Sequence, residues 1–150
     1  MRTLYLDCFA GISGNMFLGA LLDLGLPADI LRAELAKLPV DGYDLIIEKV
    51  EKKGISATYF DVKTGLFPRR HRHLPDIEKI IAAAALADPV KAAASKVFRR
   101  LAEAEAKVHG TTVDRVHFHE IGAIDTIVDI VGVVLGLNWL GVERIHTSVL

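Results

Sequence analysis

The spacing of apolar and polar positions divides the chain into short strands and amphipathic helices. Thr3 to Phe9 is aliphatic and aromatic and alternates in part, then runs into Gly11-Ile12-Ser13-Gly14, which predicts a strand followed by a tight turn. From Asn15 to Leu24, Met16, Leu18, Leu21 and Leu22 recur at helical intervals, and Gly25 with Pro27 marks the stop. Ala28 to Leu38 places Ile30, Leu31, Leu35 and Leu38 on one helical face with charges opposite, up to Pro39. Tyr43 to Val50 and Ile55 to Thr64 alternate β-branched and aromatic residues with charges across a break at Glu51 to Gly54, the pattern of an antiparallel hairpin.

Beyond the hairpin, Gly65 to Pro75 reads as a basic, proline-flanked loop. Asp76 to Ala85 and Pro89 to His109 read as alanine-rich helices, the second with Pro89 in its first turn and Gly110 just past its end. The last third predicts an extended piece from Arg115 to His119, a glycine at 122, an apolar helix from about Ala123 to Leu140 and a strand from Arg144 to Leu150. The order βααββαααβ predicts an α/β fold, one small sheet of about four strands packed with helices, with residues 1–150 as a single domain. Because the apolar run continues to Leu150, the expectation is an N-terminal fragment of a longer protein.

Composition narrows the class. With 150 residues the chain can bury about two thirds of its unfolded surface, so no disulfide or structural metal is needed for folding. Eighteen basic and nineteen acidic residues balance to −1, which gives no basic field for nucleic acid or an anionic membrane. The charge-free runs Cys8 to Leu22 and Ile130 to Val142 fall short of the roughly 20 apolar residues of a membrane span. Asp7 interrupts the N-terminal apolar run, so no signal peptide is read, and the single Cys8 cannot form an internal disulfide. A cytoplasmic location is expected, with Cys8 as a small buried filler.

Candidate chemistry is densest between His117 and Asp129. In an extended stretch His117 and His119 point the same way, making a two-imidazole edge followed by Glu120. In the helix that follows, Asp125 and Asp129 are four residues apart and share a face. Asp129 lies within Ile127-Val128-Asp129-Ile130-Val131, where an unpaired buried carboxylate is costly, so it needs a partner: a metal, or an arginine such as Arg115 or Arg144. Imidazole and carboxylate suit Zn, Ni, Mn or Fe. The plainer reading gives Asp125 to the first helical turn and His117 to a backbone carbonyl.

A second candidate is Asp7 with the turn Gly11, Ser13, Gly14 and Asn15, where backbone N–H groups at a helix start could hold a phosphate or carboxylate. The turn lacks the Gly-Lys-Ser/Thr of a P-loop, and its alternative role is a plain turn with Ser13 or Asn15 as N-cap. Third, His71-Arg72-His73 is either an accessory metal site or a solvated basic loop. His109 is explained by favourable charge at a helix C-terminus.

Tyr5 to Met16, Lys53-Gly54-Ile55-Ser56, His71-Arg72-His73-Leu74, Ala106 to Gly110 and the His117 to Gly132 block, in this order, resemble the LarC family of nickel-insertion proteins over essentially the whole chain. The resemblance implies insertion of Ni(II) into pyridinium-3,5-bisthiocarboxylic acid mononucleotide, which gives the nickel-pincer cofactor of lactate racemase-type enzymes. It further implies a cyclometallation of the lyase class that uses CTP with Mn(II) or Mg(II), bound by the C-terminal part that this chain lacks; the fragment alone would bind metal without turnover.

By the same resemblance His117, His119, Glu120, Asp125, Asp129 and Asp7 would handle metal, and Gly11 to Asn15 would hold the mononucleotide's phosphate. Expected partners are that substrate, the missing C-terminal domain, the enzyme that accepts the cofactor and a second copy of the chain. Two positions depart from the family pattern, which has Asp at Asn15 and a longer histidine run before Arg72-His73-Leu74. A metal-dependent phosphohydrolase and a non-enzymatic nickel metallochaperone remain as alternatives.

Overall fold

The structure is a computed structural model that describes residues 1–65, 72–116 and 123–149. Strand β1 (Arg2–Leu6) leads through the glycine turn into α1 (Gly14–Asp23), followed by α2 (Ala28–Leu35) and the hairpin β2 (Tyr43–Lys52) and β3 (Ile55–Thr64). Helices α3 (Leu74–Ala83) and α4 (Asp88–His109), a short 3-10 turn (Val113–Arg115), α5 (Ile124–Trp139) and β4 (Val142–Thr147) complete the order βααββαααβ that the pattern predicts. One expectation changes: among the described residues the four strands form two pairs, not one sheet. Strand β1 pairs with β4 in parallel, and β2 with β3 antiparallel. Apolar alternation marks each strand but does not encode its partner, and here each pair is completed without the other.

Local chemistry explains most boundaries. The hairpin turns at Lys53 (φ 52°) and Gly54 (φ 78°), the two successive left-handed residues that a two-residue turn matched to strand twist requires. Helix α4 ends at Gly110 in the left-handed conformation, with Lys107 and His109 in its last turn, and His109 Nε2 lies 3.2 Å from Glu105. The predicted loop from 65 to 75 is shorter than expected, because His73 caps α3 and Pro75 enters its first turn, where the missing N–H is harmless. Likewise Val113–Arg115 is a 3-10 turn, so Arg115 is not extended as expected; residues 117–119 of that expected piece lie outside the described ones.

The core is a continuous apolar cluster built by Leu18 and Leu21 of α1, Leu31 and Leu35 of α2, Phe60 of β3, Ile77 and Ile81 of α3, Phe98 of α4, and Ile127, Val131 and Leu135 of α5. Small residues let its helices come close. A Cβ at Gly19 would stand 2.4 Å from the carbonyl oxygen of Thr58, so α1 lies directly on the β3 backbone. Gly132 and Gly136 of α5 receive the side chains of Leu18, Leu21 and Leu26. At the end of α1, Asp23 accepts from the Thr58 backbone N–H (2.9 Å) and hydroxyl (2.6 Å) and pairs with Lys49, fastening the helix to the hairpin. Those bonds hold the Asp23 carboxyl below its usual pKa. Among the described residues no helix is long and apolar enough to cross a membrane.

Candidate functional site

The glycine turn and the acidic helix meet. Gly14, the first residue of α1, lies against Asp129 of α5: a Cβ there would be 2.6 Å from the Asp129 Cβ, 2.6 Å from its Oδ2 and 2.8 Å from its Cγ. Gly14 has no left-handed φ, so glycine is required by the carboxylate beside it and not by the backbone. Gly11 is the opposite case, with φ 81° and open space around its Cα. The turn itself is well satisfied: Gly11 N–H donates to Cys8 O (2.9 Å), Ser13 Oγ accepts from Met16 N–H (3.4 Å), and Asn15 Oδ1 accepts from the same N–H (3.0 Å) and from Ser13 Oγ (2.5 Å). Ser13 is thus the N-cap, as its alternative reading has it, and the side chains of Ser13 and Asn15 already occupy a donor that an anion would use.

Asp129 carries the electrostatic anomaly. Its Oδ1 is fully buried and has no hydrogen-bond partner among the described residues, and no ion pair of those residues involves it. Pairing with Arg115 or Arg144 is therefore not what holds it. Burial, then the charges of Asp125 and Asp61, push its pKa up from 3.8 to about 6. Asp125, one turn earlier and exposed, accepts from Thr126 N–H (2.8 Å), the first-turn role of its plainer reading. Asp61 on β3 was invisible as a site residue in the sequence, where it is one charge in an alternating strand between Phe60 and Val62; it accepts from the Tyr59 hydroxyl (3.0 Å) and Val62 N–H (2.9 Å).

The histidine segments share an anchor. His73 Nδ1 lies 3.0 Å from the carbonyl of Val116, the residue directly before His117. A carbonyl only accepts, so Nδ1 carries the proton and Nε2 is the basic nitrogen of the neutral ring, the atom a metal ion takes. His73 is held in turn by reciprocal bonds with Asp76, whose Oδ2 accepts from His73 N–H and whose N–H donates to His73 O, each 3.0 Å. Val116 is buried, so this contact with its carbonyl ties His73 to the core. His117, His119, Glu120 and His71 themselves lie outside the described residues.

Among the described residues no three His, Cys, Asp or Glu side chains come together as a metal-binding group, so Asp7, His73, Asp125 and Asp129 do not form one by themselves. Asp7 is exposed at the end of β1, and Cys8 is buried, its N–H donating to Ser148 Oγ (2.8 Å). What the described residues bring together is Gly14 with Asp129, and His73 with the start of the His117 segment.

Comparison with known proteins adds the chemistry. A family model described as "Nickel insertion protein" matches residues 4–150. A Citrifermentans bemidjiense protein with nickel insertion in its name is 53% identical over 148 residues, 99% of this chain and 38% of the relative. A Desulfitobacterium hafniense protein named pyridinium-3,5-bisthiocarboxylic acid mononucleotide nickel insertion protein is 50% identical over 148 residues, 99% of this chain and 37% of that one. A further relative from Geobacter sulfurreducens is 49% identical over 152 residues. The chain thus spans under two fifths of the length of these curated relatives, and corresponds to their N-terminal part. No solved structure matches it. The chain belongs to the nickel insertion protein family.

Proposed function

We propose that this chain is the metal-handling part of a protein that inserts nickel into pyridinium-3,5-bisthiocarboxylic acid mononucleotide. The observation that carries the reading is Asp129, a carboxylate with a buried, unpartnered oxygen and a pKa pushed up to about 6. Such a group is costly to keep charged, and a divalent cation supplies the compensation that no described residue provides. Asp129, with Asp125, would hold nickel as cargo together with His117, His119 and Glu120, and His73 Nε2 would deliver it from the accessory histidines of the 71–73 segment. Asp7 would act at the rim.

The glycine turn takes its place in the same cluster. An anion bound at Gly11 to Asn15 would face the Asp129 carboxylate across Gly14, and two negative groups there repel unless a cation lies between them. Metal and the mononucleotide phosphate would therefore bind together, nickel first, with each strengthening the other. The cyclometallation, its dependence on CTP with Mn(II) or Mg(II), and delivery of the product to a lactate racemase-type enzyme belong in this proposal to the longer protein. A phosphohydrolase would instead release phosphate from simple phosphomonoesters.

Nickel titration of the chain and of Asp129→Asn tests the reading. Affinity should fall by about 10- to 100-fold in the variant, the range expected when a charged ligand or its supporting partner is lost. Unaltered affinity would remove Asp129 from the site and leave the histidine segments as the metal centre.

A further inference from the structure

The least finished part of the molecule is the β1–β4 pair. Parallel strands are stable when helices or other layers cover both faces, because their backbone and apolar side chains are otherwise left to water. Here Glu143 to Thr147 of β4 are all exposed, and the register sets Leu4 beside Ile145 and Tyr5 beside His146. Ile145 is 45% exposed, Tyr5 62%, and Phe9 and Val149, at the strand ends, 89% and 94%. Among the described residues each strand also keeps one edge without a neighbour. The hairpin differs, since α1 lies on it.

We propose that the chain following residue 150 in the longer relatives docks on this pair, extending the sheet beside β4 next to Ile145, which shares the Leu4 face, and covering Tyr5 on the opposite face. The occupant is chosen by connectivity. Relatives of 53% and 50% identity continue for more than half their length past the matched part, so the additional chain leaves from the end of the exposed strand itself. Tethering makes its docking intramolecular, at an effective concentration in the millimolar range for a short connection, far above what a second copy reaches in dilute solution. A strand joined to β4 by a right-handed crossover would also lie parallel beside it, continuing the pattern that β1 and β4 begin. The inference is independent of the nickel reading.

The test uses a chimera that continues from Leu150 into the remaining part of the Citrifermentans bemidjiense relative. Replacing Tyr5 or Ile145 by p-benzoylphenylalanine should give, on irradiation, internal cross-links to residues past 150. The same substitution at Ile55, exposed at the hairpin turn, should give none. Cross-links between two copies, or none from positions 5 and 145, would overturn the assignment. Amide exchange on unsubstituted proteins gives an answer even if the substituted ones misfold. Exchange at β1 and β4 should slow at least roughly tenfold from the 150-residue chain to the chimera while β2 and β3 hold steady. Equal exchange at β1 and β4, or slowing spread evenly over all four strands, would contradict docking on this pair.

Discussion

At the residue scale the molecule turns on one steric fact, that Gly14 gives its side-chain space to Asp129. Gly14→Ala should therefore push the carboxylate out of place and destabilise the fold by about 1–3 kcal/mol, the usual range for overpacking. The loss should shrink in an Asp129→Ala background, where the clash is gone; a double-mutant cycle by urea unfolding checks the coupling. Because the carboxylate proposed to hold nickel and the turn are one contact, Gly14→Ala should weaken nickel and mononucleotide binding together, not the mononucleotide alone.

The Asp129 pKa also predicts a pH dependence. Its folded value, about 6, lies above the ordinary 3.8, so the folded state favours the protonated acid. Its contribution to stability is complete below pH 3.8 and is lost as pH rises through 6. Asp129→Asn should therefore match the parent near pH 3.5 and exceed it near pH 7.5, by on the order of 1–2 kcal/mol after solvent screening of a half-buried group. Thermal melts of the metal-free proteins across this range check the sign, and a variant less stable at pH 7.5 would contradict it.

Between elements, contact is governed by what can move. At Gly19 a Cβ would strike the Thr58 carbonyl, part of a strand fixed by its pairing with β2, whereas at Gly132 it would meet only side-chain methyls, those of Leu18 at 3.1 and 3.2 Å and one of Leu31 at 3.6 Å. Gly19→Ala should cost about 2–3 kcal/mol. For Gly132→Ala, the strain is offset by the roughly 1 kcal/mol that alanine gains over glycine inside a helix, leaving a change within about 1 kcal/mol. Denaturant midpoints at unchanged m-value separate the two. The α1–hairpin contact matters to the site, because it sets Asp61 of β3 within reach of the Asp129 charge.

For the whole molecule, nickel capture and nickel insertion should separate. The 150-residue chain should bind nickel, and replacing His117 and His119 together by Ala should remove most of that binding while the melting temperature holds. Elemental analysis after desalting gives the stoichiometry, and an unchanged metal content would shift the assignment to His71 and His73. Conversion of the mononucleotide, with or without CTP, should need the longer protein.

The strands, the α-helices and their order were legible in the sequence, because strand and helix periodicity, Pro89 and Gly110 act locally; the 3-10 turn at Val113–Arg115 was not. So was Asp129 as an anomaly, since five consecutive positions suffice to mark a carboxylate among apolar neighbours. Tertiary structure alone decided that β1 pairs with β4, because those hydrogen-bond partners are chosen by packing across more than a hundred residues of separation, as between Tyr5 and His146, whereas the hairpin pairing is local. It alone decided that Gly14 serves Asp129, that Asp61 adds its charge, and that His73 is tied to the residue preceding His117. Those are contacts between distant segments, where distance sets the energy and sequence separation carries no trace of it.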